Sequence, residues 1–407
     1  MVEIAVIADD LTGAADTGIQ FRPLFSETLL MADTALAERP EAQVLSIHTG
    51  TRAVSAEAAR EKVYAVGRNL LEIKPARVYK KVDSCLRGNL GAETDAMIKS
   101  LGLKLAFIAP AFPEVGRTTA GGIHLVHGEP VAETEMGRDP ATPVTQSRLA
   151  DVIAAQSKLP VGHIGLETID AGADAIAAEV EALGATLITF DATRQDHLKT
   201  IAGLTLDRFP STLLVGSAGL GQGLRDCLVD AGAEMTGFGN PRPRPGHHLI
   251  ALGTASAQAR RQVETLRGEF DFDLIELAAE DLAKGATGRL AGVAAHLNET
   301  DVIVRIAPPQ GEPNLETARS VASGFGAFVS ELVAQTKPAS VFLSGGDSAI
   351  GVLDRLGAKA LRLEREISPT LVCGTVVGGE ANGMNLGTKP GAMGDDNAML
   401  LWRKFWL

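Results

Sequence analysis

The sequence predicts an α/β protein of two lobes, each built on a mainly parallel sheet. Three observations carry this prediction. Short β-branched or apolar runs alternate with helical stretches along most of the chain, as in parallel sheets whose faces are covered by helices. Gly reaches 44 residues while aromatics make up 4%, a balance that suits many tight strand-to-helix turns better than a β-sandwich. The alternation is interrupted once, at 237–248 (GFGNPRPRPGHH), where three prolines set among Arg and Gly exclude a helix or a central strand, and it then restarts. At 407 residues the chain exceeds one comfortable core, so it divides into a lobe at 1–236, an extended linker at 237–248 and a lobe at 249–407.

Composition excludes several classes of function. A net charge of −12 and a pI near 5.2 disfavour nucleic acid as the partner, because that needs a clustered basic face. A small anionic substrate stays open wherever a few Lys and Arg converge. Cys85, Cys227 and Cys373 are odd in number, far apart and without a CxxC pair, which speaks against a disulfide framework and a structural zinc site. Cys85 reads as a space-filling residue before it reads as a nucleophile. No uninterrupted apolar stretch is long enough to span a bilayer, and MVEIAVIADD has neither a basic n-region nor a cleavage site. No membrane partner and a cytoplasmic location are therefore expected.

The first element, Ile4, Ala5, Val6 and Ile7, is a buried parallel strand. It breaks into Asp9, Asp10, Leu11, Thr12 and Gly13 before a small-residue helix that runs towards Phe21. Ligands sit beyond the carboxyl ends of such strands, so Asp9, Asp10 and Thr12 are candidates for chemistry. The competing reading is a helix cap, which accounts for one acid and not for two. Short strands at 28–31 and 43–48, a loop at 48–52 and a helix at 55–71 with Val63, Val66 and Leu70 on one face follow. A strand at 78–82 then delivers Lys80, Lys81, Asp83, Ser84, Arg87 and Asn89 into one turn, and a helix begins at Gly91. Arg87 beside Asp83 is either a salt bridge that ties down the loop or a guanidinium clamp for a carboxylate or phosphate; the lysines at the strand end favour the clamp.

A strand at 105–109 runs into PAFPEVGRTTAGG, read as a fixed loop carrying Arg117, Thr118 and Thr119. A hairpin at 123–131 and a polar loop at 133–143 with Arg138 and Asp139 come next. His124 and His127 stand three apart on that hairpin and so face opposite sides, against a metal pair. Strands at 163–164, 186–190 and 212–215 then alternate with helices at 171–183 and 194–202. The glycines of GSAGLGQG (216–223) give GxGxG where a dinucleotide fingerprint needs GxGxxG, and close helix–sheet packing accounts for them as well.

After the linker, a strand at 249–252 leads through Gly253, Thr254, Ala255 and Ser256 into a helix at 258–266, a natural phosphate seat. Strands at 274–277 and 302–306 and a long helix at 315–336 follow. A strand at 340–343 opens into Ser344, Gly345, Gly346, Asp347 and Ser348 before the next helix. Glycines there let backbone N–H groups approach phosphate oxygens, and Asp347 and Ser348 are oxygen donors for Mg²⁺; the plainer alternative is a glycine turn with Asp as cap. The tail reads as two strands joined by a glycine-rich hairpin. It then gives a third glycine loop, Thr388, Lys389, Pro390, Gly391, Ala392, Met393, Gly394, Asp395 and Asp396, before a closing helix. There is no internal repeat. One lobe for a polar substrate and one for a nucleotide describes a small-molecule kinase. GxxxxGK[ST] is absent from the sequence, so it is not a P-loop enzyme.

IADDLTGAADTG, KKVDSCLRGNLGAE, APAFPEVGRTT, TEMGRDPATPV, LSGGDSAIG and LGTKPGAMGDDNAM, in that order and nearly end to end, resemble the four-carbon acid sugar kinase family. The resemblance implies an N-terminal acid-sugar-binding lobe and a C-terminal nucleotide-binding lobe. The implied reaction is ATP-dependent phosphorylation of the O4 hydroxyl of D-threonate, D-erythronate or 3-oxo-tetronate, with D-threonate the first choice. Carried over by position, the nucleotide contacts fall near Ser256 with Thr254, on Gly345, Gly346, Asp347 and Ser348, and near Gly391 with Lys389 and Gly394. Thr254 replaces the Ser of many relatives, and Asp347-Ser348 stands where Glu-Thr or Asp-Thr is frequent, which keeps the oxygen donors for Mg²⁺ at Asp347. In the mechanism these residues imply, Arg87 with Lys81 takes the substrate carboxylate. Asp9, Asp10 and Asp83 hold the hydroxyls, and one of them accepts the O4 proton. Thr12, Ser84, Gly88, Asn89 and Arg117 complete the substrate set, and closure about 241–245 excludes water. The resemblance and the apolar end LLWRKFWL suggest a homodimer. Two other classes remain as alternatives: a nicotinamide-dependent hydroxy-acid dehydrogenase, which needs GxGxxG after the first strand of a lobe, and a non-catalytic sugar-acid binding protein, which would not need three phosphate-type loops.

Overall fold

The structure is a computed structural model that describes residues 1–32, 34, 36, 40–139, 141–254, 256–285, 288–307, 315–391 and 393–407, without the side chains of 315, 316 and 347. The chain forms two compact units, Met1–Glu27 with Thr34–Gly237, and Thr28–Asp33 with Phe238–Leu407. In chain order the strands of the N-terminal part are β1 (Ile4–Ala8), β2 (Thr28–Met31), β3 (Val44–His48), β4 (Arg77–Lys81), β5 (Leu105–Ala109), β6 (Arg117–Ala120), β7 (Ile123–Val126), β8 (Glu129–Pro130), β9 (Val161–Ile164), β10 (Leu187–Phe190) and β11 (Thr212–Gly216). Those of the C-terminal part are β12 (His248–Leu252), β13 (Phe272–Leu277), β14 (Asp301–Ile306), β15 (Ser340–Ser344), β16 (Ala360–Ser368), β17 (Leu371–Val377) and β18 (Asn385–Lys389).

The first unit carries seven parallel strands in the order β3-β1-β4-β11-β5-β10-β9. Three of them, β1, β3 and β10, are buried along their whole length, as in parallel sheets covered on both faces. The helix Ala56–Ile73 covers one part with Ala59, Val63, Val66 and Leu70, spaced three and four apart, and Ser55 caps it by accepting the Ala58 N–H. Tyr79, Phe107, Ile188, Phe190 and Leu214 form the heart of the core. The 216–223 glycines are packing positions: a Cβ on Gly216 would stand 2.5 Å from the Ala109 carbonyl, and one on Gly223 would stand 2.9 Å from Leu198.

Two local expectations are corrected and one short helix is added. The segment read as a fixed loop at 110–122 contains β6, which pairs antiparallel with β7 across the turn Gly121-Gly122, both at positive φ. The helix read at 171–183 is present as Ala173–Leu183, and a separate short helix, Leu166–Asp170, precedes it, the two divided where Gly172 takes φ +96°. And β2, counted by position with the N-terminal lobe, pairs antiparallel with β16 in the second unit.

The second unit's sheet runs β13-β14-β12-β15-β18-β17-β16-β2, parallel as far as β18 and antiparallel beyond. Phe342 and Trp402 meet in its core with ring centres 5.1 Å apart. Segment 238–247 lies along this unit: the Gly239 N–H donates to Glu364 O, and Asn385 Nδ2 donates to Arg242 O. No helix among the described residues is long and apolar enough to cross a membrane.

Candidate active site

Strand order builds the acid cluster. β3, β1 and β4 lie side by side, with Ala8 level with His48 and with Lys81. The loops that leave them open at the carboxyl ends of the strands, which brings Asp9 and Asp10 beside 49–52 and 82–89. Arg52 sits at the centre. Its Nε and Nη2 donate to the two oxygens of Asp9 at 2.7 and 2.9 Å, and Nη1 donates to Asp10 Oδ2 at 2.6 Å. Asp83 Oδ1 lies 3.8 Å from Nη2. Asp10 also caps the helix Leu11–Gly18, with Oδ1 accepting the Gly13 N–H at 2.8 Å and Oδ2 the Thr12 hydroxyl at 3.0 Å. A Cβ on Gly13 would lie 2.5 Å from Asp10 Oδ1 and 2.9 Å from Lys81 Nζ, so only glycine admits both groups here. Cap and charge cluster are thus the same carboxylate.

Arg87 fills its fork with the chain's own acids. Nε and Nη2 donate to Asp83 at 2.7 and 3.2 Å, the Arg87 N–H reaches Asp83 at 3.3 Å, and Nη1 donates to Asp139 at 3.3 Å. This is the salt-bridge alternative for Arg87, with Asp139 in the outermost place. Lys81 Nζ donates to Val82 O. Its neighbour Lys80 points the other way, as adjacent strand residues must. There it ion-pairs with Glu93 at 2.6 Å, both side chains at most 1% exposed, and donates to Ile7 O and Lys81 O. Lys80 is therefore part of the scaffold beneath the site and not a substrate cation.

The charges set the protonation states. Burial pushes the Asp10 carboxyl up, but Arg52 and then Lys81 outweigh it and hold it below its ordinary value. For Asp83 burial is likewise outweighed, by Arg87 and Arg52, which hold it far below the carboxylate range. Burial opposes the charge on Arg52, yet Asp10, Asp9 and Asp83 raise its affinity for the proton well above normal. Both acids are ionised at any pH at which the protein works.

The remaining substrate candidates anchor the loop. The Ser84 carbonyl accepts from His124 Nε2 at 2.8 Å, and the other ring nitrogen meets Thr119 Oγ1 at 2.9 Å. Burial lowers His124 to about 4. Gly88 takes φ +93° and its carbonyl accepts from Gln156. Asn89 donates to Thr51 O and Val54 O. Arg117 on β6 donates to Val115 O and meets His127, which sits in the β7–β8 turn at φ +51°. A cavity of about 260 Å³ opens beside Arg52, Gly88, Asn89, Thr142 and Gln156.

The second unit repeats the device with glycine loops. β12, β15 and β18 are adjacent and in register, Leu252 with Ser344 and Ser344 with Lys389, so the loops after them converge. Ser256 caps the helix Ala257–Glu269 by accepting the Ala259 N–H and donates to Gly391 O at 3.0 Å. The Gly253 N–H donates to Ser344 O, and Gly345, at φ +107°, donates to Lys389 O. A Cβ on Gly253 would collide with the Ser348 hydroxyl, and one on Gly391 would stand 2.7 Å from Thr254 Oγ1. Thr254, Ser256, Gly345, Gly346, Ser348, Lys389 and Gly391 thus share one locus. Gly394 belongs to the same loop, its carbonyl accepting from Gln258 and Gln262. The Asp347 side chain lies outside the described residues. Ser344 Oγ, and Thr388 Oγ1 on the opposite face of the sheet, are buried without a hydrogen-bond partner among the described residues.

Sequence reasoning missed Arg52, Glu93 and His124 as parts of the site and left Asp139 as an ordinary loop acid. Arg52 had a signal in HTGTR at a strand end, but only the strand order places that end beside β1.

Residues 4–224 match the family described as a sugar-binding N-terminal domain, and residues 249–399 match the nucleotide-binding C-terminal domain. The chain is similar to a D-threonate kinase of Salmonella typhimurium, 32% identical over 98% of this chain and 97% of the relative. It is equally similar, at 32%, to a D-erythronate kinase of Heliobacterium modesticaldum, over 98% of this chain and 95% of that one. A 3-oxo-tetronate kinase of Methylobacterium radiotolerans is 30% identical over 90% of each chain. Among solved structures, a Salmonella typhimurium protein described as a tRNA synthase matches with a TM-score of 0.81 over 99% of both chains at 24% identity. A Haemophilus influenzae protein matches at 0.74 and 22% identity, covering 99% of this chain and all of that one. These two share the fold. With both domains matched and relatives similar along nearly its whole length, the chain belongs to the four-carbon acid sugar kinases, phosphotransferases that use ATP and take an alcohol group as acceptor.

Proposed function

We propose that the protein transfers the γ-phosphoryl group of ATP to the O4 hydroxyl of D-threonate, with D-erythronate and then 3-oxo-tetronate as the next acids to test. The observation that carries the acceptor half is the set of three carboxylates gathered on two guanidinium groups at the carboxyl ends of adjacent strands. Of the three, Asp10 has the side chain most open to solvent, 19% against 4% for Asp9 and 10% for Asp83. Asp9 and Asp83 each give both oxygens to an arginine fork, whereas Asp10 keeps acceptor capacity on Oδ1 beyond its cap bond. Asp10 is thus the group that orients the O4 hydroxyl and accepts its proton as transfer proceeds. A carboxylate of low proton affinity suits this role, because phosphoryl transfer asks mainly for positioning and takes the proton late.

The substrate carboxylate goes to Arg87 with Lys81, displacing Asp139 from Nη1. Arg52 holds Asp9 and Asp10 in place, and the neighbouring cavity gives a four-carbon acid room. On the donor side the loops at 253–256, 344–348 and 389–394 supply backbone N–H groups and hydroxyls to the phosphates. The hydroxyl and carbonyl oxygens there are the hard donors that Mg²⁺ prefers, and Asp347 with Ser348 would hold it. When bound, the ion neutralises phosphate charge. We place the enzyme in the cytoplasm, where ATP is supplied, and as a homodimer. ADP release measured with D-threonate, D-erythronate and 3-oxo-tetronate at equal concentration tests the assignment. Turnover of D-threonate at the highest kcat/KM is expected, and no ADP release with any of the three refutes it.

A further inference from the structure

Lys389 ends β18 with 0% exposure, yet among the described residues its ammonium has no carboxylate partner. A buried cation without a counter-charge is expensive, and proteins keep one where an anion arrives or where it organises a site. Here the Nζ donates to two carbonyls of its own loop, Pro390 O at 3.0 Å and Gly391 O at 3.2 Å. Ser256 Oγ, from the first glycine loop, donates to the same Gly391 carbonyl. The Lys389 carbonyl accepts from Gly345 of the second glycine loop. One residue therefore ties together all three loops. Burial also lowers its proton affinity, to about 7.

The bonding has a geometric consequence. A trans peptide is planar, so its C=O and N–H point in opposite directions. With the Pro390 carbonyl drawn inward to Nζ, the Gly391 N–H on the same peptide is turned the other way. That N–H donates to nothing among the described residues, and the hydroxyl of Ser344, level with Lys389 on the neighbouring strand, has no partner among them either. Two unpaired donors therefore stand at strand ends where the family's nucleotide lobe is expected to act.

We propose that Lys389 is a positioning residue for the nucleotide phosphates. It does not reach them directly but holds the Pro390 and Gly391 carbonyls inward so that the loop presents its N–H groups to the polyphosphate. This rests on the nucleotide reading of the second unit. Its ligand class is the di- or triphosphate tail of the nucleotide and not the nucleoside.

Lys389→Met keeps the side chain's length and removes its charge and donors. The test measures ADP and adenosine binding by calorimetry, melting temperature, and both Michaelis constants on the full chain. The expected result is ADP affinity weakened about tenfold or more, with adenosine affinity and the sugar-acid KM changed less than about twofold. The melting temperature should hold or rise, because the variant buries no charge. Lys389→Gln, which keeps an amide donor, should recover part of the lost ADP affinity. ADP binding by Lys389→Met within about threefold of the parent overturns the proposal, as does an equal loss for adenosine. A melting temperature lowered by about 10 °C or more in both variants also overturns it, because the ammonium would then belong to the scaffold. If the parent binds no ADP, the nucleotide reading itself fails, an outcome separate from normal parent binding with an unaltered variant.

Discussion

Asp10→Asn separates the two duties of the carboxylate at the centre of the acceptor site. Asn and Asp are equivalent helix caps, and the Asn carbonyl can still accept the Gly13 N–H that Asp10 Oδ1 takes at 2.8 Å. Arg52 keeps its two bonds to Asp9. The fold should therefore lose little, about 1 kcal/mol at most from the exposed side of the ion cluster. What disappears is the negative charge proposed to face the O4 hydroxyl. A positioned base contributes about 10² to 10⁴ in rate, equivalent to about 3–5 kcal/mol of barrier. The expected outcome is a kcat lowered by about 10² or more with ADP affinity unchanged, since no nucleotide contact is proposed for this loop. Coupled ADP-release kinetics, a calorimetric ADP titration and a melting curve on the same preparation read the three quantities. The comparison variant Asp10→Ala removes the cap as well and should cost a further ~1 kcal/mol of stability. If Asp10→Asn turns over D-threonate within about threefold of the parent while folded, Asp10 is not the proton acceptor, and Asp9 and Asp83 become the groups to test.

Four further outcomes follow from the same geometry. Asp139→Asn frees the Arg87 Nη1 position, so the KM for the sugar acid should fall severalfold with kcat little changed; a rise in KM would assign Asp139 to substrate binding. Glu93→Gln leaves the Lys80 ammonium buried without its counter-charge, which should cost about 3–5 kcal/mol in a urea melt, whereas a loss under about 1 kcal/mol would show that the pair is relaxed by solvent. His124 is neutral when folded and falls to about 4 from 6.5, so between those values only the unfolded state binds the proton. Stability should thus be full above about pH 6.5 and decline by about 3 kcal/mol as pH falls to about 4, with a shallower slope in His124→Gln. Arg52→Met should leave Asp9 and Asp10 repelling each other and abolish turnover, and activity above about a tenth of the parent would remove Arg52 from the site.

Local signals made much of this legible in the sequence. The strand at Ile4–Ala8, its turn and its helix follow from an apolar run, two acids and small residues within about four turns of chain, and the Asp10 cap obeys the same short-range rules. The same holds for Ser256 and the glycine turns, whose close contacts with Ser348 and Thr254 explain why no side chain is present. The remainder depended on which strands are neighbours. Lys80 and Lys81 look alike in KKVDS, and strand alternation says only that they diverge. That Lys80 meets Glu93 while Lys81 stands by Gly13 depends on which helix covers which face of β4. β2 joins β16, and neither the charge-rich alternation of ALRLEREIS at 360–368 nor the position of TLLM announces that pairing.

On the proposed division of the reaction, the charge inventory explains why acceptor and donor chemistry occupy different glycine and acid settings. Around the first site, Asp9, Asp10, Asp83 and Asp139 face Arg52, Arg87 and Lys81, one carboxylate in excess of the cations. Such a cluster repels a phosphate tail and attracts a hydroxyl proton, and displacement of Asp139 by the substrate's own carboxylate keeps the balance unchanged. The loops of the second unit reverse the sign. Among the described residues they offer the unpaired Ser344 hydroxyl, an unbonded Gly391 N–H and a buried Lys389 with no acid beside it. Exchanging Lys389 for a neutral side chain and Asp10 for its amide therefore perturbs opposite halves of one reaction. The first should weaken ADP and spare the sugar acid, and the second should stop transfer and spare ADP. A common loss in both variants would mean that the two sets of residues do not divide the reaction in this way.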